Sequence, residues 1–549
     1  MKHTTLLFCA LSLASAAAAT APYKGVFSND TTNLLTCVSP YHKKGGKLVT
    51  EDMIRESVAE AVVPNIEAQI LQPGMGNVPW WPSKVAPLDE QERWFEKHYG
   101  IKPSNEYHDF LRKGGDLVGV FLDECKKQGV AGIISLRLND AHHLEYAWGE
   151  NGIQPQPWMV QSISKFYVEH PDWVLPPRPG AGGMKGRGMN WLFEGPRVYK
   201  LSLIAELIEN YDLDALELDF MRFPYYFPDG TPMAERLDIM ADFIKKTRAL
   251  LDKRFLKDGK KRWLFARVPA FKREWERVAF DPAVFHAAGV EVFNASPNYC
   301  TTQQTDIAAI RAAAPGAVIY YEQTHTVQVR HTIKGYDGFI FRRNTQEMIE
   351  TTARIAYERG ADGLSAFNFV YYREHGPSPE ARGPFNEPPF EYLGQATDKA
   401  AIMKSEPSYF YYAVNDSRDV IVNPKRLQRY RMDIVPPSDS KERTPILRLM
   451  VLTQPEFSAP EGTPVAKNAD RGQWKVIFNE KILSPLRITG RAYPFGTPIK
   501  AGFGQKEQYL AFAVPPELIA NGENEISVKL LDETKEPLSI RFIELYYPE

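Results

Sequence analysis

Between about residue 30 and residue 375 the chain alternates two textures. Short runs of β-branched and apolar residues read as strands: NLLTCVSPY (33–41), IEAQILQPG (66–74), VAGIISLRLND (130–140), LDALELDFMRF (213–223), RWLFARVP (262–269), VEVFNASPNYC (290–300), AVIYYEQTH (317–325) and ADGLSAFNFVYY (361–372). Amphipathic stretches at 115–128, 196–210, 233–255, 304–314 and 344–359 carry the helical period. In 196–210 the residues Val198, Leu201, Ile204, Ala205 and Ile208 fall on one stripe. Eight strands with helices between them predict an α/β fold, a (β/α)8 TIM-type barrel with insertions. A doubly wound sheet is the alternative. No glycine-rich phosphate loop follows any strand, which weighs against it.

From about residue 400 the pattern changes. Runs such as YRMDIVPP, ILRLMVLTQ, WKVIFNEKIL, YLAFAVPPELI, NEISVKLL and LSIRFIELYY are separated by Pro, Gly, Asn and charged turns. That is the pattern of a C-terminal β-sandwich. The expected division is a barrel over 22–395 and a sandwich over 396–549, with the boundary in the Pro-rich stretch before 400. The long segment 141–195 joins the third strand to the fourth. It carries Trp148, Trp158, Trp173 and Trp191, which predicts that it packs and helps shape a cleft.

The first 21 residues have Lys2, a short apolar run from Leu6 to Leu13, and small residues from Ala14 to Ala21. This predicts a secretory signal peptide, hence a secreted or periplasmic protein. The apolar run is too short to span a bilayer, and no other run is long enough. Lys plus Arg is 66 and Asp plus Glu is 68, a formal charge of −2. That balance speaks against a nucleic-acid partner. Beyond Cys9 in the signal, Cys37, Cys125 and Cys300 have no paired spacing, so buried thiols with at most one bridge are expected. No HExxH pattern or carboxylate cage appears, so neither a metal nor another cofactor is expected. The sequence does not set the oligomeric state.

In a (β/α)8 barrel, catalytic groups project from the C-terminal ends of the strands. Strand three ends with Arg137, Asn139, Asp140 and His142, and strand four carries Glu217, Asp219 and Arg222. Strands five and six add Arg267, Asn294 and Asn298; strands seven and eight add Glu322, His325, Asn368, Tyr371 and Arg373. Glu217 and Asp219 are two apart, so both face the barrel interior, where a carboxylate is costly unless paired or functional. An ion pair of Asp219 with Arg222 or Arg267 is the structural alternative. Glu322 ends an apolar run on strand seven, which we place across the barrel from strand four. Two carboxyl groups flanking one scissile bond is the layout glycoside hydrolysis needs, one as general acid and the other as nucleophile or base. For Glu322 the structural alternative is a salt bridge near the rim. The arginines suit an anionic sugar, or neutralise the carboxylates. The pairs Trp80 and Trp81, Tyr225 and Tyr226, and Tyr371 and Tyr372 follow strands two, four and eight; they offer faces for sugar stacking or pack the loops.

Three stretches, Arg137-Leu138-Asn139-Asp140-Ala141-His142, EHPDW (169–173) and YDLDALELDF, resemble the bacterial glycosyl-hydrolase-like barrels. The resemblance covers roughly residues 30–375. It implies an exported (β/α)8 protein acting on glycosidic bonds, often followed by a β-sandwich, with Asp219 at the usual strand-four carboxylate position. The run YLAFAVPPELIANGENEISVKLL is similar to sandwich modules of exported glycosidases.

The leading expectation is an exported glycoside hydrolase with a carbohydrate substrate. Asp219 and Glu322 form its carboxylate pair. Arg137, Asn139, Asp140, His142, Glu217, Arg222, Arg267, Asn298, His325, Tyr371, Arg373, Trp80 and Trp81 line the substrate site. Two alternatives stay open: a carbohydrate-binding barrel without hydrolysis, and a lyase of uronic-acid polymers using charge neutralisation with His142 or Tyr371 as base. In the C-terminal part Trp474 alternates with Val476 and Phe478, which predicts a core position, while Tyr493 and Phe495 are possible stacking residues.

Overall fold

The structure is a computed structural model that describes residues 20–36, 48–149, 152–176, 187–297, 300–331, 339–369, 390–414, 421–422, 427–452, 474–486, 507–531 and 538–548. The signal segment therefore lies almost wholly outside the described residues, as do Cys37, Asn298, Tyr371, Tyr372, Arg373, Tyr493 and Phe495.

Eight parallel strands close into a barrel. They are β1 (Gly25–Asp30), β2 (Ile66–Gln72), β3 (Ala131–Arg137), β4 (Ala215–Asp219), β5 (Trp263–Pro269), β6 (Val292–Ser296), β7 (Val318–Gln323) and β8 (Gly363–Phe367). At least one helix follows each strand, and the series includes α1 (Glu51–Ala59), α2 (Leu117–Gln128), α3 (Glu194–Asn210), α4 (Met233–Asp258), α5 (Pro282–Ala287), α6 (Ile307–Ala313), α7 (Gln346–Glu358) and α8 (Phe390–Ala396). Local chemistry sets several of their ends. The Asp116 side chain accepts the Gly119 N–H to start α2, and Gly129, at φ 73°, ends it in the left-handed region.

Two sequence expectations need correction. The first strand is Gly25–Asp30, not 33–41; Asn33–Thr36 is a short helical turn. GVFSND has only two large apolar residues, so its pattern is weak. Strands β4 and β7 are also not opposite. Going round the barrel, β5 and β6 lie between them. A smaller correction concerns α3, whose buried face is Lys200, Leu203, Ile204, Leu207 and Ile208, while Val198 is half exposed. Lys200 disguises this stripe. Its stem is buried and its Nζ donates to the Arg137 carbonyl at 2.9 Å.

The floor of the barrel interior is apolar, built from Val26, Ala68, Ile70, Ile133, Ala215, Phe265, Val292, Val318 and Tyr320. Above it the inward positions turn polar, and at the C-terminal end they are charged. In the described parts of the connection 141–195, Trp191 is buried against Tyr226 and Phe243, and the half-buried Trp148 packs on Tyr167.

After the barrel come antiparallel sheets. The strands are β9 (Tyr409–Ala413), β10 (Ile421–Val422), β11 (Gln428–Ile434), β12 (Ile446–Leu452), β13 (Trp474–Phe478), β14 (Lys481–Ile482), β15 (Pro485–Leu486), β16 (Glu507–Ala513), β17 (Gly522–Leu530) and β18 (Leu538–Tyr546). One sheet runs β9-β18-β12-β16-β15, with β10 also on β18, and the other runs β11-β17-β13-β14. Trp474, Val476 and Phe478 face the core between them. Side-chain hydrogen bonds are among the contacts that tie these sheets to the barrel. Arg359, just after α7, holds the Asp433 carboxylate through Nε at 3.0 Å and Nη2 at 2.6 Å. Gln303, in the β6–α6 connection, donates to the Tyr409 carbonyl at 3.0 Å and accepts the Tyr411 N–H at 2.7 Å.

Among the described residues no helix is long and apolar enough to cross a membrane. Cys125 is a buried free thiol.

Candidate active site at the C-terminal end of the barrel

Strand alternation brings Asp219, Arg267, Ser296 and Glu322 to the same level at the ends of β4, β5, β6 and β7. The register pairs Asp219 directly with Arg267. All four side chains are buried. Arg267 donates to Glu322 from two nitrogens, Nε to Oε2 at 2.6 Å and Nη2 to Oε1 at 2.7 Å. Its Nη1 lies 3.3 Å from both Asp219 oxygens. The Ser296 hydroxyl donates to Glu322 at 2.6 Å, and Phe367 covers the guanidinium from 4.2 Å. Asp219 also accepts the Met221 N–H at 2.8 Å and faces the Gln72 amide at 3.5 Å. Burial works against the Arg267 charge, but Glu322 and Asp219 outweigh it and raise its pKa.

A second arginine organises the other half of the rim. Arg137 Nη2 donates to Asp30 at 2.6 Å and to Gln72 at 2.7 Å, and Nη1 reaches Asp140 at 3.4 Å. Gln72 thus links the two arginine clusters. Burial tends to raise the Asp30 carboxyl, but Arg137 and Arg222 overcome this and hold it at about 2. Asp140 is likewise held well below the carboxylate range: burial pushes upward, and His142, Arg137 and Arg222 pull it down.

Asp140 accepts both the backbone N–H of His142, at 3.0 Å, and its ring Nδ1–H. On the other side of the ring, Arg222 Nη2 donates to Nε2. Burial lowers the imidazole pKa, and the two arginines add to this against the opposing pull of Asp140. The partners fit a neutral ring with its proton on Nδ1. His142 therefore acts as a strut between Asp140 and Arg222. Its Nε2 lone pair is occupied by the arginine.

The loops leaving the strand ends carry strained backbone. His143 after β3, Phe223 after β4 and Asn368 after β8 have φ of 61°, 50° and 49°. Such conformations persist where the surroundings over-determine them, often at functional sites. The Asn368 side chain accepts from the Asp30 N–H at 2.9 Å, which locks β8 to β1. Around the rim, Phe223 packs edge-on to His142, and Trp158, 39% exposed, packs edge-on to His143.

The structure thus gathers Arg137, Asp140, His142, Asp219, Arg222, Arg267 and Glu322 at one end of the barrel. Glu217 lies one layer below. Other expected residues are placed elsewhere. Asn139 is buried and structural in its contacts: it pairs with the backbone of Met189 in both directions, at 2.8 and 2.9 Å, and donates to the Tyr225 carbonyl. Trp80 stacks on Tyr107 at 4.2 Å, and the Trp81 indole N–H donates to Glu206 at 2.9 Å; both rings lie in the core instead of on an open face. Of the pair after β4, Tyr226 is buried against Trp191, and Tyr225 is half-buried beside Arg277. His325 is buried edge-on to Phe369. Asp30, Gln72 and Ser296 join the site without having been named from the sequence. Asp30 was hidden by the misplaced first strand. Gln72 was visible as a polar residue closing the strand IEAQILQ. Among the described residues no group of His, Cys, Asp and Glu has the arrangement to hold a metal ion.

No protein-family model matches the chain, and no curated protein matches it. Solved structures similar to it include a variant of the GH36 alpha-galactosidase AgaA from Geobacillus stearothermophilus with raffinose, at 12% identity and a TM-score of 0.35, covering 97% of this chain and 57% of that one. An alpha-amylase from Geobacillus thermoleovorans with acarbose is similar at 9% identity and a TM-score of 0.36, covering 92% and 98%. The alpha-galactosidase from Lactobacillus brevis is similar at 12% identity and a TM-score of 0.34, covering 89% and 55%. The chain thus spans just over half the length of the two galactosidases. Its architecture is a closed (β/α)8 barrel followed by antiparallel sheets.

Proposed function

We propose that the protein is an exported glycoside hydrolase acting on a polysaccharide or glycan, with Asp219 and Glu322 as its carboxylate pair. One observation carries the reading: two buried carboxylates from β4 and β7 converge on the single guanidinium of Arg267 at the end of the barrel where such folds place their chemistry. One carboxyl group protonates the leaving oxygen, and the other attacks or activates water. Arg222, held by His142 and half-buried, is placed to meet a sugar hydroxyl or an anionic substituent. The half-exposed Phe223 and Trp158 supply aromatic surface beside it. Export rests on the N-terminal sequence pattern.

One observation favours a second reading, a carbohydrate-binding barrel without hydrolysis. Glu322 is engaged by two nitrogens of Arg267 and by Ser296, which suits a structural ion pair.

The deciding experiment measures reducing-end release from neutral, uronic and sulfated glycans by the wild type, Asp219→Asn and Glu322→Gln. Hydrolysis through the pair requires release by the wild type and a loss of at least about a hundredfold in each variant. Loss in Asp219→Asn alone would leave Glu322 as the partner of Arg267. Binding without release from any glycan would establish the second reading.

A further inference from the structure

Glu217 sits beneath the charged layer, fully buried, at the level where the barrel interior turns from apolar to polar. Its neighbours differ in kind from those of the two carboxylates above it. Glu322 receives two guanidinium N–H groups and a hydroxyl, and Asp219 faces a guanidinium, a backbone N–H and an amide. Glu217 receives only the Ser135 hydroxyl, at 2.7 Å, and the Asn294 amide, at 3.1 Å. Two neutral donors stabilise a buried carboxylate far less than a charged fork does.

The surrounding layer holds unused hydrogen-bonding capacity. Asn294 Oδ1 and the hydroxyls of Ser28 and Ser365 are buried without a partner. An ionised Glu217 has no proton to offer the Asn294 oxygen. A neutral one does: with the Asn294 amide turned over, the Glu217 O–H donates to Oδ1, and Nδ2 takes the unpartnered position in its place. The charged groups that reach Glu217 are Asp219 on its own strand, which opposes its ionisation, and Arg267 from β5, which favours it. Arg267 is already shared by two carboxylates. Burial and Asp219 prevail and place the Glu217 carboxyl at about 7.

We propose that Glu217 is a positioning residue for the Asp219–Arg267–Glu322 cluster: as a neutral acid between Ser135 and Asn294 it leaves the one guanidinium to the two upper carboxylates, and as a carboxylate it competes for that charge. The part that concerns catalysis rests on the reading of Asp219 and Glu322 given above. The part that concerns the proton does not.

Two measurements on the full chain separate these parts. A carboxyl group raised in the folded state stabilises the fold at low pH, and that contribution is lost as pH rises from about 4.5 to about 7. The melting temperature of the wild type then falls across this window more steeply than that of Glu217→Gln, an isostere that keeps the hydrogen bonds without the titration. Parallel curves for the two proteins would overturn the proposal. If Glu217→Gln fails to fold, infrared spectra of wild type labelled with ¹³C-glutamate decide. A protonated carboxyl band that disappears on crossing pH 7 is expected, and its absence at pH 6 refutes the neutral acid. With a cleaved glycan in hand, the rate profile of the wild type bends near pH 7, and Glu217→Gln removes the bend. A bend unchanged by the substitution would refute the positioning role even where the proton is confirmed. A titrating Glu217 with no glycan cleaved would instead refute the hydrolase reading.

Discussion

Among the described residues two arginine–glutamate pairs are buried, one in the barrel and one in the sheets. In the sheets, Arg448 on β12 meets Glu544 on β18, directly across the antiparallel register. The Tyr409 hydroxyl donates to the same carboxylate, and the rings of Tyr509 and Tyr546 lie 4.6 and 5.1 Å from the guanidinium. In the barrel, Arg267 meets Glu322, and Asp219 stands on the same guanidinium. The same two residue types thus sit in different surroundings. The sheet pair is wrapped in aromatic side chains. The barrel pair lies among further acids, Asp219 beside it and Glu217 below, in a network that reaches Arg137, Asp140 and His142 through Gln72. Burial of an ion pair is therefore not itself a functional signal. On the proposed reading, the excess of acid around it is.

Removing either arginine tests this contrast most strongly. Arg448→Met leaves one buried carboxylate without its cation and is expected to cost about 3–5 kcal/mol of unfolding free energy. Arg267→Met leaves two, so its loss is expected at or above the top of that range, read by urea denaturation. Equal losses for the two variants would erase the distinction. A smaller effect comes from the acid limb. Asp30 is held at about 2 against an ordinary 3.8, so its contribution is present above about pH 4 and disappears as pH falls through 2. Asp30→Asn is expected to be about 2 kcal/mol less stable than wild type at neutral pH, with the two curves converging near pH 2. Curves that stay apart at low pH would mean that the Arg137 network does not rest on that charge. The smallest effect is expected for the double change Arg448→Met with Glu544→Leu. Replacing a whole buried pair by apolar residues is often close to neutral, so a change within about 1 kcal/mol is expected despite the lost Tyr409 contact. A loss as large as that of Arg448→Met alone would assign the sheet pair a specific structural role.

Most of the barrel was legible because seven of its strands are short apolar runs bounded by helical periods. The eighth was not. Half the residues of GVFSND are polar, and one of them, Asp30, joins the rim cluster through Arg137. The polar layer of the site was legible residue by residue, since a charged side chain at an inward strand position stands out. Its connections were not. Nothing in the spacing of Asp140, His142 and Arg222 reveals that the imidazole sits between a carboxylate and a guanidinium. Trp80 and Trp81 mark the opposite failure. A paired aromatic after a strand looks the same whether it faces solvent or fills the core beneath a loop.

The Gln303 contact has a consequence for the behaviour of the chain outside its folded state. Strand β9 is the outer strand of its sheet, and the carbonyl of Tyr409 and the N–H of Tyr411 lie on its unpaired side. The primary amide of Gln303 fills both, as a neighbouring strand would. The barrel thus closes an edge that would otherwise template association with a second chain. Separating the sheets from the barrel, by truncation or by proteolysis, would expose that edge and favour aggregation.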